Sequence, residues 1–433
     1  VEFTRPALRP TSWSRAAPIP TVFRVRARKS PFPLSLSLSV TVAVAVTVAL
    51  AAALVLALVP VGGPAVAAAS PMSPASPPSL PPRGELQSRL THLVESEAAT
   101  AALLRVQDGQ DGQDGQHRPA HWSGRAGVRD LASGTPAAAH GHFRIGSVTK
   151  TFVATVVLQL VDEGRLALDD PIDRHLPGVV PGGDRITVRQ ILNHTSGIYD
   201  YAHERDYSTN RWRGEARFRT YHPEELLAVA FAHEPYFPPG GGWHYSNTNY
   251  LLAGLLVERL TGRPYGAEIQ RRILRPLGMV HTSVPGNDPR VPEPHARGYA
   301  RVDGQDVDAT EMNPSLDWAA GEMISTTADL DRFLAALLGG RLTSPASLAA
   351  MRETVATGTL FRYGLGLQQV DLPCGRTLFG HGGELLGFLT YAMGDAHGRQ
   401  ATLSYNPYHR KASAEDLMGI FSTAFCPPGG QRS

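Results

Sequence analysis

The order in which two hydrophobic periodicities alternate along this chain limits its fold more than any other feature. Strand-like segments open the ordered part, a long helical stretch follows, and strand-like segments return before a closing helix. Glu85 to Ala98 carries apolar residues at helical spacing through Leu86, Leu90, Leu93 and Val94. Ala101 to Val106, Trp122 to Arg129 and His142 to Ile145 read as strands. Between the first two, Gln107 to Gln116 repeats Asp-Gly-Gln and reads as an insertion at a hairpin tip. From Ser147 to Leu338 the pattern is helical with long loops. Val188–Leu192, Glu224–Ala232, Asn249–Leu260, Tyr265–Leu274 and Thr327–Leu338 are the clearest helices, several stopped by Gly262, Gly278 or Gly339. Ser344 to Thr354 adds a helix with Pro345 in its first turn. Tyr363–Leu367, Arg376–Phe379, Gly387–Met393 and Gln400–Tyr405 then read as strands, and Ser413–Phe425 as the last helix. Strands at both ends can bury their apolar face only by pairing with one another. The expectation is an α/β domain over residues 85–428, its antiparallel sheet flanked by helices, with an all-helical subdomain inserted over about 147–338.

The first 84 residues do not join this core. Seven basic residues lie between Arg5 and Lys29 against the single acid Glu2, and Leu34 to Val59 holds no charge. Small residues ending Ala67-Ala68-Ala69 follow. Basic region, apolar core and small-residue site describe a secretory signal over 1–69, cleaved near Ala69 or kept as an anchor, since the uncharged run is long enough to span a bilayer. Residues 70–84 form a Pro/Ser-rich linker. Export would place the catalytic body in the secreted fraction or on the outer face of the cytoplasmic membrane. In that compartment the pair Cys374 and Cys426 points to one disulfide rather than two free thiols. With this leader set aside the body is mildly acidic and has no basic stripe, which excludes nucleic acid as a partner. A membrane contact is expected only through an uncleaved anchor, and the body is expected to be a monomer.

Lysine occurs three times among 41 basic residues, at Lys29, Lys150 and Lys411. One of the three closes Ser147-Val148-Thr149-Lys150 at the start of a buried helix, where positions i and i+3 share a face. A guanidinium stays protonated, whereas an amine among apolar neighbours can lose its proton and accept one from a hydroxyl. Ser147 and Lys150 are therefore candidates for nucleophile and base. The plain alternative is a helix-capping serine beside a solvated lysine. Two further motifs share this ambiguity: Tyr245-Ser246-Asn247, after a glycine turn and opening a helix, and His381-Gly382-Gly383, opening a strand. Alone, each reads as a polar cap or a glycine turn with a surface histidine. No serine has glycine at both −2 and +2, and His-Glu-x-x-His is absent, so neither a nucleophile elbow nor that zinc motif competes.

Taken together and in this order, Ser-x-x-Lys, Tyr-x-Asn and His-x-Gly resemble the serine penicillin-recognising family: class C type β-lactamases, D-alanyl-D-alanine carboxypeptidases and related esterases. The resemblance runs from about Glu85 to Pro427. It extends to Phe143-Arg144-Ile145-Gly146, Ile191–Gly197, Leu274–Met279 and Ala320–Leu330. Histidine in the third motif and the flanking cysteines look most like the exported carboxypeptidases.

The resemblance implies an acyl-enzyme hydrolase without cofactor or metal, acting on small peptides, β-lactams or esters, with cell-wall peptidoglycan as one source. A penicillin-binding protein that does not turn over is the alternative from another class. It implies that Ser147 attacks, that Lys150 and Tyr245 share the base role with Lys150 lowering the phenol's pKa, and that Asn247 holds the acyl-side amide. It implies an oxyanion hole from the N–H groups of Ser147 and Glu384, a substrate strand at Gly382 and Gly383, and a His381 that hydrogen-bonds Tyr245 and faces the substrate carboxylate. Two departures concern that carboxylate. Gly382 offers no hydroxyl where relatives have threonine, and Gln368, Gln369 and Val370 stand where an arginine is expected, leaving Arg362 or Arg376 as substitutes.

Overall fold

The computed structural model describes residues 81–109 and 120–427. The leader, most of the linker and the Asp-Gly-Gln tip lie outside the described residues. Among those described, no helix is long and apolar enough to cross a membrane.

The described residues open with α1 (Arg83–Glu95), β1 (Ala99–Asp108), β2 (Ala120–Gly127) and β3 (Phe143–Arg144), then turn through a 3₁₀ segment, Gly146–Val148, into α2 (Thr149–Asp162). The helical stretch supplies α3 (Ile172–His175), α4 (Val188–Leu192), α5 (Pro223–Phe231), α6 (Thr248–Thr261) and α7 (Tyr265–Ile269), which continues as a π-turn over Gln270–Leu274. A hairpin of β4 (Tyr299–Val302) and β5 (Gln305–Asp308) precedes β6 (Ile324–Ser325), α8 (Thr327–Leu338) and α9 (Pro345–Arg352). Six strands and a helix close the chain: β7 (Val355–Ala356), β8 (Arg362–Tyr363), β9 (Gln368–Asp371), β10 (Thr377–Leu385), β11 (Phe388–Asp395), β12 (Arg399–Pro407) and α10 (Ala414–Phe425).

The main sheet has the order β2-β1-β12-β11-β10-β9-β8-β7, with antiparallel neighbours. The expected pairing of the two ends is the β1–β12 ladder, with Leu104 opposite Leu403. Period two then sorts β1 between two cores. Ala102, Leu104 and Val106 join α1 and α10 through Leu86, Leu90, Phe421 and Phe425, while Ala101 and Leu103 join the core of α2, α6 and α8 on the other face.

Three expectations need correction. The inserted stretch is not all helical, because β4 and β5 form a hairpin and β6 pairs with β3. Nor does α8 belong to it: buried Asp331 of α8 takes a hydrogen bond from Thr402 of β12 at 2.6 Å and pairs with Arg105 of β1 at 3.3 Å, tying this helix to the sheet. The segment Tyr363–Leu367 is also not one strand. β8 ends at Tyr363 and β9 starts at Gln368, because Gly366 adopts φ +72° and lies so close to α2 that a Cβ would sit 2.6 Å from the Ala154 methyl. That turn accepts a hydrogen bond from Thr151 Oγ1 at 2.7 Å, which seats the sheet edge on the helix carrying Lys150.

Candidate active site

Ser147 lies in the 3₁₀ turn before α2, and its side chain caps nothing. Lys150, one turn on, is fully buried. Its Nζ lies 3.0 Å from Ser147 Oγ, 2.8 Å from Asn247 Oδ1 and 2.7 Å from the Ala320 carbonyl. The capping-serine reading with a solvated lysine is therefore replaced by an amine locked among three oxygens. Burial lowers the Lys150 pKa to about 7, with the charges of Asp200 and Asp317 opposing. A neutral amine suits the three contacts. Its two hydrogens go to the Asn247 and Ala320 acceptors, and its lone pair is left facing the Ser147 hydroxyl.

Asn247 stands at the start of α6 without capping it, so this motif too is more than a helix cap. The amide is fixed by Lys150 on one side and Asp200 on the other. Asp200 Oδ1 accepts from the Asn247 N–H at 3.0 Å, and Oδ2 accepts from Nδ2 at 3.2 Å. Tyr245 packs beside the lysine, its ring centroid 4.9 Å from Nζ. Burial raises the Tyr245 pKa well above the ordinary phenol value, while its contact with the Ser147 hydroxyl works the other way. The expected lowering of the phenol pKa by Lys150 is thus reversed: in the free site Tyr245 is a neutral phenol and Lys150 the group that can lose its proton.

His381 is buried, not a surface histidine. Its Nε2 meets the Tyr363 hydroxyl at 2.8 Å and its Nδ1 faces the Gly382 carbonyl, while its ring lies 6.4 Å from that of Tyr245, centroid to centroid. With Nδ1 donating to the carbonyl, Nε2 accepts from Tyr363. Burial and the nearby Lys150 bring its pKa down to about 3, so it is neutral. The expected hydrogen bond from His381 to Tyr245 is replaced by one to Tyr363, which also packs against buried His194. His194 in turn lies 4.4 Å from the Tyr245 ring, centroid to centroid, and accepts from the Ser246 N–H at 3.3 Å. Sequence reading missed Asp200, Tyr363 and Asp317. Asp200 and Asp317 each lie three residues from a family-like stretch, which names no role, and Tyr363 lies near none.

The glycines of the third motif have a spatial reason. A Cβ on Gly383 would lie 1.9 Å from the Ile145 carbonyl and 2.9 Å from the Ser147 nitrogen, and one on Gly146 would lie 2.7 Å from the Glu384 nitrogen. Bare backbone at both positions lets β10 press against the nucleophile turn. The two-residue turn Leu386-Gly387 makes Leu385 and Phe388 the closing pair of the β10–β11 hairpin. Glu384 is then a residue whose N–H points away from β11, toward Ser147. Gly382 points the same way and donates to Gln368 Oε1 at 2.9 Å.

Ser147, Tyr245, Asn247 and the His381–Glu384 segment line a cavity of about 690 Å³. One end is polar, with Ser147, Asp200, Thr209, Asn210, Asn247 and Asp317; the other runs over Leu378, Leu389, Met393, Leu417 and Phe421 between the sheet and α10. No arginine or lysine is among the described lining residues. The two guanidinium substitutes are engaged elsewhere, Arg362 on Thr354 and Arg376 on Asp395.

A family model described as Beta-lactamase matches residues 87–400. The chain belongs to the Beta-lactamase family. Penicillin-binding protein 4* of Bacillus subtilis (strain 168) is 29% identical over 277 residues, covering 61% of this chain and 60% of that protein. Esterase EstB of Burkholderia gladioli is 37% identical over 161 residues, 35% of this chain and 41% of the esterase. The chain thus spans less than two thirds of the length of these curated relatives. Among solved structures, a D-stereospecific amidohydrolase from Streptomyces sp. superposes with a TM-score of 0.72 at 38% identity, covering 80% of this chain and 99% of that one. The D-amino acid amidase from Ochrobactrum anthropi SV3 complexed with D-phenylalanine gives 0.68 at 29%, covering 78% and 98%. The Beta-lactamase family supplies the antiparallel sheet with flanking helices seen in this fold.

Proposed function

We propose that this member of the Beta-lactamase family is a serine acyl-enzyme hydrolase that acts on short peptides, amides or esters with a D-configured residue at the reacting end. The observation that carries this reading is the fully buried Lys150 amine 3.0 Å from the Ser147 hydroxyl. In acylation the Ser147 proton passes to Lys150 as Oγ bonds to the substrate carbonyl carbon. The carbonyl oxygen takes up the negative charge, facing the N–H groups of Ser147 and Glu384. The bond to the leaving amine or alcohol then breaks, and the leaving group gains a proton through the Tyr245 phenol, resupplied from Lys150. Water attacks the acyl carbon by the same proton route in reverse and frees Ser147. His381 and Tyr363 hold the β10 end of the site in a neutral hydrogen-bonded state.

The D-configuration is taken from the printed names of the amidohydrolase and amidase neighbours. The absence of arginine and lysine from the described lining supports a weak demand for a free carboxylate on the leaving side. A D-alanyl-D-alanine carboxypeptidase, an amidase and an esterase differ mainly in that demand. The basic, apolar and small-residue order of residues 1–69, together with the Cys374–Cys426 bond, supports placing the hydrolase outside the cytoplasm. The test is intact-protein mass spectrometry with a fluorophosphonate and a penicillin, followed by kcat/KM for acyl-D-Ala-D-Ala, its C-terminal amide, a cephalosporin and a p-nitrophenyl ester. One adduct at Ser147 with turnover of at least one substrate is expected. An adduct elsewhere overturns the mechanism, and an adduct without any turnover favours a penicillin-binding protein.

A further inference from the structure

The sheet has a bare patch where it faces α10. Period two divides β10 between its two faces. Phe379 and Gly383 meet the core of α2 and the Ser147 turn, so Leu378, Gly380, Gly382 and Glu384 belong to the face toward α10. Two consecutive positions on that face thus carry no side chain, and a Cβ on Gly382 would lie 3.0 Å from the Tyr391 ring. Val370 of β9 and Leu389 and Met393 of β11 stand on either side, and Leu417, Met418 and Phe421 of α10 lie across from them. Leu417 and Met418 are only half-buried, although both form the cavity wall. The space left is an apolar chamber and not a packed core.

This chamber opens toward the reacting groups. β9 pairs with β10 no further than Gln368 opposite Gly380, so the edge of β10 is released from His381 onward. The cavity lined by Ser147 on one face and by Leu417 on the other runs round that edge. At the bend the Gly382 N–H is already taken by Gln368 Oε1 at 2.9 Å. Charge there is neutralised within the protein: Glu384 is the one charged side chain that β10 adds to the lining, and Lys411 Nζ lies 2.6 Å from its Oε1. A charged group gains little in such a place, whereas an apolar one removes its own surface and that of the chamber from water.

We propose that the chamber between β10 and α10 is the leaving-group subsite and that it takes an alkyl or aryl group, so that the preferred substrates release an apolar amine or alcohol. This deepens the acyl-enzyme reading and rests on it. With the carbonyl oxygen at the N–H groups of Ser147 and Glu384, the acyl part and the leaving group depart from the carbonyl carbon in different directions. The end with Asn247, Asp200 and Thr209 offers donors and acceptors and suits the acyl part. The α10 end offers carbon and suits a group without charge. Leu417 is the specificity-determining side chain: it is half-buried where Phe421, one turn on, is packed, so its size sets the room left for the leaving group. An apolar recess of this kind beside a reactive serine is a binding feature, since a fold gains nothing by leaving it empty.

The test measures kcat/KM on the full chain for the methyl, butyl and hexyl esters of D-alanine, whose alcohols are alike in basicity, alongside fluorophosphonate labelling of Ser147. The methyl ester of D-norleucine moves the same added carbons to the acyl side. The wild-type protein is expected to favour butyl over methyl ester by about tenfold or more, the scale on which an apolar pocket reads added methylenes. Leu417→Trp, which fills the chamber, should bring that ratio to within about threefold, and Leu417→Ala should raise the hexyl-to-butyl ratio by about threefold or more. A wild-type butyl-to-methyl ratio near one, with the esters turned over and Ser147 labelled, overturns the subsite and leaves the acyl-enzyme reading standing. So does a length preference that follows the D-norleucine side chain instead of the alcohol, or one that labelled Leu417→Trp retains in full. If Ser147 is unlabelled and nothing is turned over, the acyl-enzyme reading fails and this inference with it. Where Leu417→Trp does not fold, Leu417→Ala decides: an unchanged hexyl-to-butyl ratio overturns the proposal.

Discussion

A single amine carries the chemistry, and its surroundings say what replacing it does. Lys150→Arg keeps positive charge, but a guanidinium cannot surrender a proton here and is too broad for a niche bounded by Ser147, Asn247 and the Ala320 carbonyl. Acylation of the folded variant should fall by about two orders of magnitude, read as the rate of fluorophosphonate or penicillin adduct formation. Ser147→Ala should give no adduct at all. Because Lys150 titrates at about 7 in the folded protein, wild-type kcat/KM should rise with pH along a limb centred near that value and level off above it. Asp317 titrates in the same range, so the limb belongs to Lys150 only if Lys150→Arg removes it. The stability sign follows from the same shift. The folded pKa lies below the ordinary lysine value, so between about 7 and that value the unfolded chain binds the extra proton, and Lys150 makes the fold gain stability as pH rises through this window. A urea titration series across that range, compared with Lys150→Met, checks it.

At the level of elements, what the sequence disclosed and what it hid divide along a physical line. Periodicity located the helices and most strands, because burial of an apolar face writes itself locally. It failed where backbone contact decided the outcome. Tyr363–Leu367 alternates like a strand yet bends at Gly366 to meet α2, and α8 has the same helical pattern whether it packs on helices or on the sheet. The motif residues Ser147, Lys150, Tyr245 and Asn247 were legible because their chemistry is rare at those spacings. Asp200, Tyr363 and Asp317 were not, since an isolated aspartate or tyrosine carries no sign of burial until the chain brings Lys150 or His381 to it. The third motif shows both sides: His381-Gly382-Gly383 could be found by pattern, but the need for bare backbone at Gly383 appears only from the approach of Ile145 and Ser147. Gly383→Ala should therefore force β10 away from the nucleophile turn. The expected result is a folded protein by circular dichroism whose acylation rate is reduced by at least about tenfold, as the Glu384 N–H loses its aim.

For the molecule as a whole, the Cys374–Cys426 bond links the turn between β9 and β10 to the end of α10. The 52 residues it spans include the motif strand, β11, β12 and the helix whose Leu417, Met418 and Phe421 form the apolar end of the cavity. Closing a loop of that length restricts the unfolded chain by an amount on the order of 4 kcal/mol. Its loss should also act unevenly on function. The Ser147–Lys150 pair sits at the entry to α2, held from the other face of the sheet, whereas α10 is fixed by Phe421, Phe425 and this bond. Cys374→Ser/Cys426→Ser should therefore lower the thermal midpoint by several degrees or more and raise KM for substrates with bulky apolar groups, while the labelling rate of Ser147 by a small fluorophosphonate changes little. Thiol titration of the denatured, unreduced wild-type protein should find no free cysteine. Two thiols there, or a double variant as stable as the wild type, would show that packing alone holds α10 against the sheet.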